Sequence, residues 1–221
     1  MIFAKPTCRF KAEHRERGGF TKTGKVYLIA GLGNPGPKYK NTRHNIGFKV
    51  INLWSDDLDI LLNGRRFQSR NALTRFEGKR IVLVRPLTYM NRSGESIRAC
   101  VDYYGIKPEN VLVVHDDLDL PVGKIKVAKN GGAGGHKGVM SLVQHLGTKK
   151  FSRVKVGIDR PRYRESIENF VLSPFYKDER KIVEEVIRMA VKACGLFVSE
   201  GVESAMNVIN SQNLIMKEVT S

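Results

Sequence analysis

An apolar run, Val26-Tyr-Leu-Ile-Ala30, ends in the turn Gly31-Leu-Gly-Asn34-Pro35-Gly36, and a helix-like pattern, Ile46-Gly-Phe48-Lys-Val50-Ile51-x-Leu53-Trp54, starts soon after. A short aliphatic run bounded by glycine and proline predicts a buried strand, and apolar residues spaced three and four apart predict an amphipathic helix. Strand, turn and helix in that order restrict the chain to folds in which helices cover a sheet. The grammar recurs. Strands are expected at 25–31, 67–76, 79–85, 110–115, 123–128 and 153–159, and helices at about 44–55, 92–105, 136–147, 176–198 and 202–210. Asn91 and Ser173 are expected N-caps, with Pro174 in a first helical turn. Residues 67–76 and 79–85, joined by Glu77-Gly78, read as a hairpin inside the strand–helix series. The fold class expected is therefore α/β: one three-layer domain whose mixed, mostly parallel sheet is covered by helices on both faces.

The 221 residues allow one substantial core. Residues 25–212 are expected to form that domain, with a basic N-terminal extension, 1–24, before it and a tail, 213–221, after it. Glu13 and Glu16 count against a typical transit peptide in the extension. No apolar stretch approaches the roughly 20 residues that cross a bilayer, so a soluble protein is expected. Cys8, Cys100 and Cys194 lie far apart, in no spacing used by zinc sites, and with no secretory signal they favour a reducing compartment. Cys100 and Cys194 fall in apolar helical patterns and read as small buried hydrophobes.

Lys and Arg number 38 against 22 Asp and Glu, a formal charge of +16. Residues 1–25 account for only five of that excess, with seven Lys/Arg and two Glu. A basic surface on this scale favours a polyanionic partner, nucleic acid above all.

In open sheets of this class, sites gather at the carboxyl ends of strands. That rule brings Asn34, Pro86–Asn91 and His115-Asp116-Asp117 to one edge. His44, at the start of a helical pattern, has the chemistry of a general base: a histidine titrating near pH ~6.5 takes a proton from water at neutral pH. A carboxylate receiving its other N–H would fix the tautomer and stabilise the imidazolium, and Asp116, at the tip of Val111-Leu-Val-Val114, is placed to do so. No G-x-S-x-G occurs and no cysteine accompanies these residues, so attack by activated water fits better than a covalent acyl-enzyme.

Other readings are weaker. Gly31-x-Gly33-x-x-Gly36 matches a dinucleotide fingerprint, with Asp56 and Asp57 further on, but Pro35 and Pro37 disrupt the helix that should open there. The turn is better read as a holder for Asn34. His115-Asp116-Asp117-Leu-Asp119 with His136 suggests a metal, yet the usual ligand spacings are missing. Asn130-Gly131-Gly-Ala-Gly134-Gly135-His136-Lys137-Gly138 is a loop whose backbone amides suit a phosphate or a carbonyl oxygen. Lys124, Lys126, Lys129, Lys149, Lys150, Arg153 and Lys155 surround it in sequence.

Five motifs, in order, resemble the bacterial-type peptidyl-tRNA hydrolases. They are Tyr27-Leu-Ile-Ala-Gly-Leu-Gly-Asn34-Pro-Gly, Thr42-Arg-His44-Asn45-Ile-Gly, Pro86-Leu-Thr-Tyr89-Met90-Asn91-Arg-Ser-Gly, His115-Asp116-Asp117-Leu-Asp-Leu-Pro and Gly134-Gly-His136-Lys137-Gly. The resemblance spans about residues 25–212. It implies cleavage of the ester between a peptide and the 3′ terminal ribose of tRNA, releasing reusable tRNA, by a monomeric cytoplasmic enzyme. No cofactor, metal, membrane or stable protein partner is implied. An organelle matrix replaces the cytoplasm if residues 1–24 belong to a targeting segment.

Carried over by position, His44 is the general base, Asp116 orients it, and Asn34 and Asn91 position the water and the peptidyl end. Tyr39, Asn45, Tyr89, Met90, Gly134, His136 and Lys137 are the substrate-binding residues. The clamp for a tRNA phosphate falls among Lys126, Lys129, Arg153 and Lys155. Many relatives have asparagine where this chain has Lys137; a lysine donates hydrogen bonds but accepts none. Some plant-organelle relatives act instead as RNA-binding intron-splicing factors. The complete His44, Asp116, Asn34 and Asn91 set favours the enzyme, because a pure binder needs no tuned base.

Overall fold

A computed structural model describes residues 24–212; the expected extension and tail lie outside these but for Gly24. Six strands form one sheet in the order β2-β3-β1-β4-β6-β5. They are β1 (Val26–Gly31), β2 (Ser69–Phe76), β3 (Lys79–Pro86), β4 (Val111–Asp117), β5 (Ile125–Lys129) and β6 (Ser152–Gly157). The four inner strands are parallel, with Ile29 opposite Leu83 on one side and Leu112 on the other. β2 and β5 close the edges antiparallel. The expected α/β class, mixed and mostly parallel, is the architecture found.

Strands covered on both faces need apolar side chains at every position. β1 is buried along its whole length, which is why Val26–Ala30 is a continuous run and not an alternating one. Its side chains divide between two cores. Tyr27 and Ile29 join Leu83, Leu112, Trp54 and Phe197, beneath α1 (Ile46–Asp57), α5 (Arg180–Ser199) and α6 (Val202–Asn210). Leu28 and Ala30 join Val82, Val113, Ile97 and Leu142, beneath α2 (Ser93–Tyr104) and α3 (Lys137–Leu146). Cys100 and Cys194 sit one in each core, and burial pushes the Cys100 thiol up to about 12.

Several local expectations are corrected. β2 begins at Ser69, not 67, because Phe67 and Gln68 take positive φ angles that no strand accommodates. Asn91 does not cap α2; it lies within a 3-10 turn, Met90–Arg92, and Arg92 holds the cap position. Ser173 and Pro174 do not open a helix either. The Ser173 hydroxyl donates to the Phe170 carbonyl, Pro174 bridges Thr42, and α5 starts six residues beyond Pro174, after a 3-10 turn at Lys177–Glu179. There the Glu179 carboxylate accepts the Tyr176 N–H at 2.8 Å. A short helix, α4 (Ile167–Val171), capped by Ser166, was not foreseen.

Candidate active site

β1 and β4 end side by side, and the turns leaving their carboxyl ends meet the first turn of α1. The peptide after β1 is fixed first. Asn45 donates its amide to the Asn34 carbonyl at 2.9 Å and accepts the Asn34 N–H at 2.8 Å, so one side chain closes a ring with the opposite backbone. Asn34 Oδ1 in turn accepts the Met90 N–H at 2.8 Å. That bond fixes the orientation of the amide and leaves its nitrogen, a donor, without a protein acceptor among the described residues.

His44 lies in a 3-10 turn, Arg43–Asn45, immediately before α1. Its Nδ1 is 2.9 Å from both oxygens of Asp116. An ionised carboxylate only accepts hydrogen bonds, so Nδ1 carries a proton, and in the neutral ring the lone pair is then on Nε2. This is the arrangement of a general base held by a carboxylate. Asp116 itself is 2 % exposed at the end of β4. Burial works to raise its pKa, but the charges and hydrogen bonds of His44 and His136 outweigh it and hold the carboxyl well below the usual range. Asp116 stays ionised.

The turn carrying His44 is anchored from behind. Arg43 is fully buried, its guanidinium 4.3 to 4.7 Å from the ring centres of Phe170, Phe175 and Tyr176 and 2.8 Å from the Glu179 carboxylate. Its backbone N–H donates to Ser173. The segment between α4 and α5 therefore holds the base in place, and no local pattern at Thr42-Arg43-His44 signals that role.

His136, at the N-cap of α3, is 3.0 Å from Asp116 Oδ1 through Nε2. His115 is buried beside it, the two rings 4.7 Å apart. Burial first and His136 second drive the His115 pKa well below the ordinary value, so the ring is neutral. Its Nδ1–H donates to the Asp116 carbonyl at 2.7 Å.

The sequence offers His115, Asp116, Asp117, Asp119 and His136 as metal ligands. Two of these turn elsewhere: Asp117 pairs with Lys155 and Asp119 with Arg160. His44, Asp116 and His136 do bring potential ligand atoms within 4.8 Å of one another. In this structure these atoms are engaged with one another, His44 Nδ1 at 2.9 Å and His136 Nε2 at 3.0 Å from the Asp116 carboxylate. The glycine turn after β1 leads into a 3-10 turn, Pro37–Tyr39, and not into the helix a dinucleotide site needs.

Comparison with known proteins identifies the family. The family model described as peptidyl-tRNA hydrolase matches residues 28–217. The chain belongs to the peptidyl-tRNA hydrolase family. It is 45% identical to the peptidyl-tRNA hydrolase of Bacillus subtilis strain 168 over 187 residues, 85% of this chain and all of that one. The counterpart from Clostridium botulinum is 44% identical over 185 residues, covering 84% of this chain and 97% of its own length. A crystal structure of peptidyl-tRNA hydrolase from Acinetobacter baumannii superposes with a TM-score of 0.80 at 36% identity, covering 89% of this chain and 99% of that one.

Against the residue roles that the peptidyl-tRNA hydrolase resemblance implies, His44, Asp116, Asn34, Asn45, Met90 and His136 converge through the contacts above. Asn91 is exposed on the turn beside Met90. Tyr39 and Tyr89 meet edge to face, 6.5 Å between centres, with Tyr89 open to solvent. Gly134 is exposed in the glycine loop, and Lys137 ends in an ion pair with Glu168 of α4 at 2.6 Å.

The expected phosphate clamp separates into unlike groups. Arg153 is buried, its guanidinium donating to the carbonyls of Gly131 and Gly132, so it supports the glycine loop from beneath. Lys129 pairs with Glu203. Lys126 and Lys155 are directly opposite on β5 and β6, which puts both side chains on one face of the sheet. Lys155 also contacts Asp117 at 2.8 Å, while Lys126 is exposed.

Proposed function

We propose that this chain is a peptidyl-tRNA hydrolase: an ester hydrolase that uses a water molecule activated by His44 to separate the peptide from the 3′ ribose of tRNA. The observation that carries the reading is the His44–Asp116 contact, which commits Nδ1 to the carboxylate and leaves Nε2 as a base. Water bound at Nε2 gives up a proton as its oxygen attacks the ester carbonyl. The imidazolium that results is stabilised by the ionised Asp116, and the proton then passes to the departing ribose oxygen. Asn34, its oxygen held by Met90, turns its amide N–H groups toward the reacting ester, where they suit the carbonyl oxygen or the water. Asn91, Tyr39, Tyr89, Gly134 and Lys137 are assigned to the peptidyl and 3′ terminal contacts around this centre.

The basic excess supports the tRNA part of the substrate. Lys126 and Lys155 are the pair assigned to a phosphate, since they stand opposite each other on one face of the sheet, whereas the Arg153 guanidinium is taken up by the carbonyls of the glycine loop. Among the described residues, no helix is long and apolar enough to cross a membrane. A monomer working in the cytoplasm fits this reading. No observation favours the intron-splicing alternative.

The test is hydrolysis of N-blocked aminoacyl-tRNA by the wild-type chain and His44→Ala, with free aminoacyl-tRNA alongside. Release from the blocked substrate, lowered by roughly 10²–10⁴-fold in the variant while tRNA binding persists, is the expected result. Tight tRNA binding without release would overturn the enzymatic reading.

A further inference from the structure

His136 was assigned above, by resemblance, to contact with substrate. Its ring has no nitrogen left for that purpose. Nδ1 accepts the N–H groups of Gly138 and Val139, at 3.1 and 3.2 Å, as the N-cap of α3. An atom that accepts from two backbone donors bears no proton, so the proton is on Nε2. Nε2 lies 3.0 Å from Asp116 Oδ1, and the side chain is only 8 % exposed.

We propose that His136 is a positioning residue for hydrolysis, holding the plane of the Asp116 carboxylate that in turn holds His44. The proposal rests on the hydrolase reading above. A carboxylate with one donor can rotate about its terminal torsion. Asp116 has two imidazole donors arriving from different segments, both reaching Oδ1, and Oδ2 faces only His44. The Asp116 main chain is clamped as well, its carbonyl accepting the His115 ring Nδ1–H, and the His115 ring packs edge-on against His136. The first turn of α3 thus selects the His136 tautomer, and that tautomer selects the orientation of the carboxylate.

Two substitutions separate this role from helix capping. His136→Asn keeps a good cap acceptor but does not reach Asp116, whereas His136→Gln carries an amide N–H to about the place of Nε2 and weakens the cap. Steady-state turnover of N-blocked aminoacyl-tRNA and thermal unfolding are measured for both. In His136→Asn, kcat should fall about 10–100-fold with the unfolding temperature retained and KM within about threefold of wild type, and His136→Gln should recover most of kcat. A rise in KM with kcat unchanged would make His136 a substrate contact and overturn the proposal. So would an unchanged kcat in His136→Asn, or equal losses of kcat in both variants tracking their loss of stability. An inactive wild-type chain would instead overturn the hydrolase reading on which the proposal stands.

Discussion

Gly31 and Gly47 touch through their backbones: a Cβ built on Gly31 would lie 2.1 Å from the Gly47 carbonyl oxygen. A Cβ on Gly47 would in turn come within 2.4 Å of the Val114 carbonyl and 2.5 Å of the Leu32 nitrogen. Helix α1 therefore starts in direct contact with the ends of β1 and β4. That closeness brings His44, just ahead of the helix, within hydrogen-bond reach of Asp116, just beyond Val114.

Gly47→Ala should accordingly weaken folding and catalysis together. Overpacking of this kind costs about 1–3 kcal/mol. The backbone that must give way carries both members of the pair, so kcat should fall by roughly 10²-fold, as a displacement near 1 Å can cause. Urea unfolding together with steady-state kinetics checks this. A stable variant with wild-type kcat would mean that the contact is not what sets the pair.

Glu179→Gln should destabilise the protein by about 3–5 kcal/mol, because it leaves the Arg43 cation buried among three aromatic rings without its carboxylate. Chemical denaturation gives the value. A loss below about 1 kcal/mol would put this pair in the class of surface ion pairs and remove the anchor argued for the His44 turn.

Affinity for tRNA should weaken steeply as salt rises, since phosphate contacts release counterions. Lys126→Glu should lower affinity and reduce the slope of log K against log salt by about one or more. Fluorescence anisotropy over a salt series measures both. An unchanged slope would detach Lys126 from the RNA.

Turnover should be unaffected by EDTA. The nitrogens of His44 and His136 that face Asp116 donate protons to it, which leaves them no lone pair for a metal. Inhibition by the chelator, reversed by an added divalent ion, would require those tautomers to be reassigned.

The parts legible in the sequence were those written in local pattern. Continuous apolar runs marked the inner strands β1, β3 and β4, alternation marked β6, and helical spacing marked α1, α2, α3, α5 and α6. The rule that sites gather at the carboxyl ends of parallel strands brings Asn34, Met90 and Asp116 to one edge, while His44 is read from its chemistry at the start of a helical pattern. What escaped depends on distant partners. Arg153 looks like a surface cation among lysines, and only the glycine loop folding over it makes it a support. Arg43 gives no hint of burial until Phe170, Phe175, Tyr176 and Glu179 surround it. α4 is too short for periodicity to reveal, and Asn91 reads as a cap only if the 3-10 turn before α2 is overlooked.

Asp116 receives one imidazole from 72 positions away and another from 20. Neither segment alone completes the centre. The carboxylate consequently works as a checksum on assembly: a chain in which either the turn before α1 or the first turn of α3 has not formed holds a histidine without the means to use it. Full capacity to cut esters then arrives only with the finished fold, since each segment supplies a donor that the other cannot replace.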